Sequence, residues 1–252
     1  MTPPDLDRKS ALFLDFDGTL VEIAATPEQV VVPPGLPDLL AQLYRQLGGA
    51  LAIVSGRPLA QTDRLLRPFS ASGAGEHGVS LRYDDGTLEE MPVGIAVPQN
   101  WRAALEAAVE RWPGVRIEEK PHGVAVHYRL APERGHEVWR MVRTLVPPDH
   151  PWFHLLPARE AVEVSLRSVS KGHAVERLMA HHPFHGRRPI FVGDDITDEA
   201  GMSMARRFGG LGLRVGEAFG GDPALVRAWL MQAAERLDDS GAATAPSRGT
   251  QA

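Results

Sequence analysis

Three short apolar runs, each ending in polar residues, constrain the fold of this chain more than any other feature. They occupy residues 11–16, 50–58 and 189–195 and read ALFLDF, ALAIVSGRP and PIFVGDD. Runs that are apolar on both faces are typical of strands inside a parallel sheet. Leucines at helical spacing fill residues 36–48 between the first two runs, and Pro58 is suited to open the next helix. The order β–α–β–α predicts an α/β fold with right-handed crossovers.

The middle of the chain has a different texture, because helices and hairpins replace the alternation of strand and helix. A helix is predicted at residues 101–114, and two strands around a PHG turn are predicted at residues 115–130. This pattern indicates a smaller α+β domain inserted into the parallel core. The predicted domains are a core of residues 1–94 and 169–238, an inserted α+β domain of residues 95–168, and a disordered tail of residues 239–252.

Composition excludes several classes of protein. The chain has 252 residues and no cysteine, so disulfides and thiolate-bound metals are excluded. With 27 basic and 32 acidic residues the net charge is −5, which does not fit the basic surface of a nucleic-acid-binding protein. No apolar run reaches membrane-spanning length, and the first residues lack the apolar segment of a signal peptide. We therefore expect a cytoplasmic protein that binds neither nucleic acid nor membrane.

Acidic residues at the ends of two apolar runs indicate a metal site. Asp15 and Asp17 are two apart after the first run, so both side chains can face the same point. Asp194 follows the third run, within GDDITDE, and ligands of open parallel sheets collect beyond the carboxyl ends of the strands. Three carboxylates suit a hard cation such as Mg²⁺, which lets buried aspartates stay ionised. A lone DxD also fits a cap or a turn, but the second acidic motif favours the metal.

Two residues near predicted helix starts suit an anion. Ser55 follows the second run, where its hydroxyl and nearby N–H groups can donate to a phosphate. The alternative is a simple helix N-cap before Pro58. Lys171 opens the predicted helix KGHAVERLM, where a positive charge is unfavourable to the helix dipole and therefore hints at an anion nearby. The alternative for Lys171 is a solvated surface lysine.

The order DxDGT, SGR, a lone KG and GDDxTDE closely resembles the haloacid dehalogenase-type phosphatase superfamily. Four stretches are similar to the trehalose-6-phosphate phosphatase family: RIEEKPHGVAVHYR, AVEVSLRSVSKG, PFHGRRPIFVGDDITDE and GAGEHG. The resemblance covers most of the chain from residue 11 to about residue 230. It implies a Rossmann-like core, a cap formed by the inserted domain, and Mg²⁺-dependent release of phosphate. One departure is Leu166, where the family often has a proline.

The resemblance also assigns roles to the residues at the strand ends. It implies that Asp15 attacks phosphorus and forms an aspartyl phosphate, while Asp17 protonates the departing sugar oxygen and then activates water. It implies that Ser55 and Lys171 stabilise the phosphoryl oxygens in the transition state. The implied magnesium ligands are Asp15, the backbone carbonyl of Asp17, Asp194 and, through water, Asp195 or Asp198.

Alternation along the predicted hairpin puts polar side chains on one face. Glu118 and Lys120 share a face, and His127 and Arg129 do likewise. The pattern alone also fits the solvated face of a half-buried sheet. The resemblance favours sugar recognition, since the E-x-K and H-Y-R elements match the cap motif of the family. The implied sugar-binding residues are Glu118, Lys120, His127, Arg129 and Glu163 of the inserted domain, with Arg57, Glu76 and His77 from the core.

Three other functions fit part of the sequence. A phosphatase of the same superfamily acting on sucrose phosphate or a hexose phosphate would share the core motifs and differ in the cap. A glycosyltransferase would use DxD to hold a metal–nucleotide, but SGR, KG and GDDITDE would then have no role. A non-catalytic sugar-phosphate sensor would not need both Asp15 and Asp17. We therefore expect a monomeric enzyme with Mg²⁺ as cofactor and a small-molecule sugar phosphate as partner.

Overall fold

The computed structural model describes residues 2–90 and 95–242, which form two β-sheets flanked by helices. The described strands are β1 (Ser10–Leu14), β2 (Leu51–Val54), β3 (Ser72–Gly75), β4 (Ser80–Arg82), β5 (Leu88–Glu90), β6 (Arg116–Glu119), β7 (Val124–His127), β8 (Phe153–Ala158), β9 (Ala161–Leu166), β10 (Arg188–Gly193) and β11 (Leu211–Arg214). The described α-helices are α1 (Leu36–Gln46), α2 (Leu59–Leu65), α3 (Gln99–Val109), α4 (Gly135–Leu145), α5 (Lys171–Met179), α6 (Glu199–Arg207), α7 (Val215–Ala218) and α8 (Pro223–Ala242).

The larger sheet has the strand order β11-β10-β1-β2-β3-β4-β5. The pairs from β11 to β3 are parallel, whereas β4 and β5 add antiparallel strands at one edge. Strand β1 lies between β10 and β2, so that Phe13 is in register with Phe191 on one side and Ala52 on the other. The carboxyl ends of β1, β2 and β10 therefore lie side by side, as the three apolar runs predicted.

Alternate residues of β1 pack into opposite layers of the core. Leu12 and Leu14 are fully buried in the layer formed with α1 and α8. Phe13 points to the other layer, where it packs with Val175 of α5 and Met202 of α6. Because each fully buried Leu or Phe contributes about 1.5–3 kcal/mol, burial on both faces holds β1 firmly and fixes the start of the acidic segment that follows it.

The smaller sheet is antiparallel, with the order β6-β7-β9-β8, and together with α3 and α4 it forms the unit that we call the cap. Its strands and helices lie between residues 99 and 166, inside the predicted inserted domain. Val124 and Val126 pack against Val138 and Val142 of α4 on one face of the sheet. Strand alternation leaves the opposite face, which carries Glu163, turned away from the helices.

The parallel core with a second, inserted sheet confirms the predicted α/β class. Strands β3 and β8 were not predicted. Strand β3 reads SGAG, without the branched side chains by which strands are recognised. A Cβ at Gly73 would lie 2.7 Å from the carbonyl oxygen of Ile53, so close strand pairing requires glycine there. Strand β8 contains Pro157, which argues against a strand in a sequence but is tolerated because β8 is an edge strand.

Two predictions concern the ends of domains. Helix α8 continues to Ala242, past the predicted start of the disordered tail at Asp239, and the remaining tail, 243–252, lies outside the described residues. The first boundary of the inserted domain adjoins residues 91–94, which also lie outside them. The domain boundaries therefore stay predictions. Within the described residues, no helix has both the length and the apolar character needed to cross a bilayer.

Candidate active site

Polar side chains follow the carboxyl ends of the three central strands and meet at one edge of the sheet. Asp15 and Asp17 follow β1, Ser55 follows β2, and Asp194 follows β10. All four line one cavity of about 500 Å³ between the core and the cap, and Lys171 at the start of α5 lines it too. The convergence that the sequence predicted is therefore present in the structure.

Asp15 is a buried carboxylate held by two donors. The Nζ of Lys171 lies 2.6 Å from its Oδ1, and the hydroxyl of Thr19 donates to its Oδ2 at 3.1 Å. The backbone N–H of Asp15 also donates to the carbonyl of Val192, which ties it to β10. Burial and the neighbouring charges of Asp198 and Asp194 raise the pKa of Asp15 well above its ordinary range, and Lys171 only partly offsets them.

Lys171 is buried beside two carboxylates and is not a solvated surface lysine. It is 3% exposed, and its Nζ lies 2.6 Å from Asp15 Oδ1 and 2.6 Å from Asp198 Oδ1. Burial opposes the charge on the ammonium, but the two carboxylates outweigh it and raise the pKa of Lys171 above its ordinary value. A lysine at the first turn of α5 is therefore explained by the acids that it faces.

Asp198 organises the loop that follows β10. Its side chain is fully buried, and its Oδ2 accepts the N–H groups of Asp194 at 3.1 Å and Asp195 at 3.0 Å. Asp195 in turn accepts the N–H of Ile196 and caps the short 3₁₀ turn at Ile196–Asp198. The sequence placed Asp195 and Asp198 near the metal through water; the structure adds that Asp198 bonds directly to Lys171.

Three carboxylates of this edge could hold one cation. Oxygen atoms of Asp15, Asp194 and Asp198 all lie within 4.8 Å of one another. Burial, together with the charges of Asp198 and Asp195, raises the pKa of Asp194 to about 7. Three clustered carboxylates against the single ammonium of Lys171 leave negative charge that a divalent cation would balance, and carboxylate oxygens suit Mg²⁺. The residues therefore fit the expected metal.

Gly18 shapes the same edge. Its φ is +78°, and a Cβ there would lie 2.2 Å from Asp194 Oδ2. Both the conformation and the close approach require glycine, which explains why glycine follows DxD in this chain. The clustered atoms are side-chain oxygens, so the backbone carbonyl of Asp17 stays a predicted ligand, as does Asp195 through water. The carboxylates of Asp17 and Asp195 are not among the clustered oxygen atoms within the described part of the chain.

Ser55 faces the cavity and does not cap a helix. It is 1% exposed, and its Oγ accepts the backbone N–H of Arg57 at 3.1 Å. Helix α2 begins after Pro58, which is its N-cap residue, and no side-chain hydrogen bond caps it. The N-cap interpretation of Ser55 is therefore wrong. Among the described residues its hydroxyl proton has no acceptor, so it can point at a ligand in the cavity.

Arg57 and Asp17 form a bidentate ion pair in the cavity wall. The Nε of Arg57 lies 2.6 Å from Asp17 Oδ2, and its Nη2 lies 2.8 Å from Asp17 Oδ1. The sequence predicted Arg57 only as a sugar ligand. The structure adds a partner forty positions away in the chain, which no local pattern indicates.

Two residues of the cap and one of the core form a buried cluster in the cavity wall. Glu163 Oε2 lies 2.6 Å from Lys120 Nζ and 3.2 Å from His77 Nε2. Lys120 also donates to the carbonyl of Gly56 at 2.9 Å, which joins the cap to the core. Burial alone would raise the pKa of Glu163, but Lys120 and His77 lower it to about 2.

The remaining predicted residues of the hairpin also face the cavity. His127 Nε2 lies 2.9 Å from Glu118 Oε2. Burial alone would raise the pKa of Glu118, but His127 and Lys120 lower it below the ordinary value. Arg129 donates to the carbonyl oxygens of Ala24 and Arg159. The polar face of the cap sheet thus lines a cavity, and the alternative of a freely solvated face is wrong.

Glu76 lies behind the cavity and is not among its lining residues. Its Oε1 accepts the backbone N–H of His122 at 2.9 Å, and its Oε2 lies 3.0 Å from His122 Nδ1. Glu76 and His77 both have positive φ, +47° and +59°, so this turn is held in a conformation that non-glycine residues rarely adopt. Through these contacts with His122, the turn joins the core to the PHG segment (121–123) that directly follows Lys120.

The cavity has an apolar side that the sequence did not indicate. Its residues come from the segment after β1, from β8 and from the loop after β10: Ile23, Ala24, Val30, Leu156, Pro157, Ala158 and Ile196. Because β8 was not predicted, this side was missed. Leu156 pairs with Glu163 in register, so both lie on the face of the cap sheet that meets the core.

Comparison with known proteins agrees with this geometry. A family model described as trehalose-phosphatase matches residues 13–219. A probable trehalose-phosphate phosphatase of Sinorhizobium fredii is 42% identical over 84% of this chain and 79% of the relative. The trehalose-6-phosphate phosphatase of Escherichia coli is 35% identical over 84% and 80% of the two chains. The C-terminal domain of the C. albicans trehalose-6-phosphate phosphatase shares the fold, with a TM-score of 0.74, 19% identity, and coverage of 92% of this chain and 98% of that domain. This chain therefore belongs to the trehalose-phosphatase family.

Proposed function

We propose that this chain is a Mg²⁺-dependent phosphatase that hydrolyses trehalose 6-phosphate to trehalose and phosphate. One observation carries the proposal: Asp15, Lys171 and Asp194 of the core line one cavity together with hydrogen-bonding groups of the cap. The core side suits a phosphate, and the cap side suits sugar hydroxyls. Membership of the family supports the same substrate.

Asp15 acts as the nucleophile in this proposal. One of its oxygens forms a bond to phosphorus as the bond from phosphorus to the sugar oxygen breaks. Asp17 gives a proton to that oxygen, so that trehalose leaves as a neutral alcohol, and then accepts a proton from the water that cleaves the aspartyl phosphate. The Lys171 ammonium and the Ser55 hydroxyl offset the charge on the phosphoryl oxygens.

Asp15, Asp194 and Asp198 are the side chains that would hold the metal, since their oxygens cluster beside the cavity. A bound Mg²⁺ would offset the repulsion between the phosphate and the carboxylates. The raised pKa of Asp194, about 7, results first from burial and then from the negative charges of Asp198 and Asp195, which a bound cation would offset. An oxygen-only ligand set suits Mg²⁺, Mn²⁺ and Ca²⁺ rather than softer metals that prefer nitrogen or sulfur ligands, and the family resemblance is the reason for proposing Mg²⁺ among these three.

The cap supplies groups that suit a sugar. Glu118 and His127 lie on the polar face of the cap sheet, and Arg129 lies in the turn that follows β7. Lys120 and Glu163 line the same cavity and are buried. A site that hydrogen-bonds several hydroxyls rejects analogues that lack them, because buried polar groups would then be unpaired. This gives a basis for preferring a disaccharide phosphate to a hexose phosphate.

The test is phosphate release from trehalose 6-phosphate, sucrose 6-phosphate and glucose 6-phosphate, with and without Mg²⁺. We expect turnover of trehalose 6-phosphate that requires the metal and disappears in Asp15→Asn. Asp38→Asn, at an exposed position of α1, is the matched control and should keep the wild-type rate. Equal turnover of the three substrates would instead favour a general sugar phosphatase. The cytoplasmic location and the monomeric state expected from the sequence stay predictions.

A further inference from the structure

We propose that Arg57 is a positioning residue that acts on the reaction through Asp17, rather than the sugar ligand that the sequence suggests. This inference rests on the proposed phosphatase function. Its basis is the bidentate pair in which Arg57 Nε and Nη2 meet the two oxygens of Asp17 at 2.6 Å and 2.8 Å. A planar guanidinium that holds both oxygens fixes the direction of a carboxylate as well as its place.

Arg57 is itself fixed on several sides. Its Nη1 donates to the carbonyl of Pro27 at 3.1 Å, and its guanidinium lies 5.7 Å from the centre of the Phe16 ring. Its backbone N–H donates to Ser55 Oγ. The residue is 7% exposed, so little freedom remains for its side chain. The guanidinium of Arg57 is thus held in one position beside Asp17.

The side chain of Asp17 depends on the Arg57 guanidinium for its orientation. Its side chain is 33% exposed, against 8% for the side chain of Arg57. No other ion pair to Asp17 exists within the described residues. An exposed aspartate without a fixed partner samples several rotamers, whereas proton transfer needs a heavy-atom distance of about 2.6–3.2 Å to the sugar oxygen.

The contacts of Arg57 also argue against a direct role on the sugar. At least three of its five N–H donors already have partners inside the protein, two on Asp17 and one on Pro27. A group engaged in this way has few donors left for hydroxyls, but it is well placed to orient Asp17. Each Asp17 oxygen accepts one N–H of Arg57 and keeps a second lone pair. The proton that passes to the leaving oxygen is taken up from water onto one of these remaining lone pairs. Arg57 would therefore affect bond cleavage more than substrate binding.

The chemistry defines a test that separates the two roles. Departure of a sugar alkoxide needs a proton from Asp17, whereas 4-nitrophenolate is a stable anion and leaves without one. We expect Arg57→Gln to lower kcat/KM for trehalose 6-phosphate by about 100-fold, which is the lower range for loss of general acid catalysis. The loss in kcat/KM for 4-nitrophenyl phosphate should be within about threefold, because kcat/KM does not include the later hydrolysis of the aspartyl phosphate, in which Asp17 also acts. Arg57→Lys should recover only part of the activity, because a lysine cannot bond in bidentate fashion.

A matched control removes a similar pair elsewhere. Arg82 contacts Asp63 through two nitrogens at 2.5 Å and 2.8 Å and donates to the carbonyl of Ala71, but neither member of the pair lines the cavity. Arg82→Gln therefore measures the structural effect of losing a bidentate pair. We expect it to leave kcat/KM for both substrates near the wild-type values.

The decisive comparison is the double variant. If Arg57 works through Asp17, then adding Arg57→Gln to Asp17→Asn should cost no more than about threefold beyond Asp17→Asn alone. Losses that multiply, or an Arg57→Gln variant that loses both substrates equally, would overturn the positioning role. If the wild-type chain failed to hydrolyse trehalose 6-phosphate, the proposed function would be wrong, and the positioning role, which rests on it, would be wrong as well.

Discussion

Acidification is expected to weaken the contact between the cap and the core, because one of its charges is a buried carboxylate. Glu163 is 6% exposed, and burial alone would raise its pKa, but Lys120 and His77 lower it from the ordinary 4.5 to about 2. A group whose pKa is lower in the folded state stabilises that state above its unfolded pKa. The stabilisation is lost as the pH falls from about 4.5 towards about 2.

The pKa of Glu163 sets the size of the effect. A difference of about 2.5 in pKa, at about 1.4 kcal/mol for each unit, corresponds to about 3 kcal/mol of unfolding free energy at neutral pH. About 2 kcal/mol of this is lost by pH 3. Most of the change therefore occurs before extreme acid is reached.

Urea unfolding followed by tryptophan fluorescence measures this change in wild type and in Glu163→Gln, which has the same shape but does not titrate. The free-energy difference between the two proteins should shrink by about 2 kcal/mol between pH 7 and pH 3. Glu106→Gln, at an exposed position of α3, is the control and should show a small difference at every pH. A constant difference between wild type and Glu163→Gln would refute the charged contact with Lys120 and His77.

Three further predictions concern the site. Lys171→Met should lower the urea unfolding free energy by about 3–5 kcal/mol, because two buried carboxylates lose their cation; a change below about 1 kcal/mol would contradict the burial argument. Gly18→Ala should weaken Mg²⁺ binding in a calorimetric titration, because its Cβ would lie 2.2 Å from Asp194 Oδ2, and unchanged affinity would disprove the crowding. Lys120→Ala should raise KM for trehalose 6-phosphate by about tenfold or more and leave 4-nitrophenyl phosphate hydrolysis nearly unchanged, whereas equal losses would argue against contact with the sugar.

The sequence predicts the arrangement of the site where local patterns have direct geometric consequences. Apolar runs ending in acids require strands whose carboxyl ends meet, and the structure brings Asp15 and Asp194 together at that edge. Alternation along the hairpin predicts one polar face, and Glu118 and His127 indeed lie on it. An unfavourable lysine at a helix start predicts a negative neighbour, which proves to be Asp198 as well as Asp15.

The sequence does not predict which residues form ion pairs or hydrogen bonds when they are far apart in the chain. Alternation gives the direction of a side chain but not its contact, so the pairing of Arg57 with Asp17 was not predicted. Glu76 lies in a turn with positive φ, which only glycine signals reliably. No sequence pattern therefore indicates the contact between Glu76 and His122. Leu166, the departure from the family, is buried in the cap at the end of β9, where an apolar side chain is accommodated.

The most direct test of the central claim is mass spectrometry of the enzyme quenched in acid during turnover of trehalose 6-phosphate. Acid preserves an aspartyl phosphate long enough for its peptide to be sequenced. The account predicts phosphate on Asp15 in the wild-type chain, with neither the adduct nor turnover in Asp15→Asn. Turnover by Asp15→Asn at the wild-type rate, or phosphate found on a different residue, would contradict it.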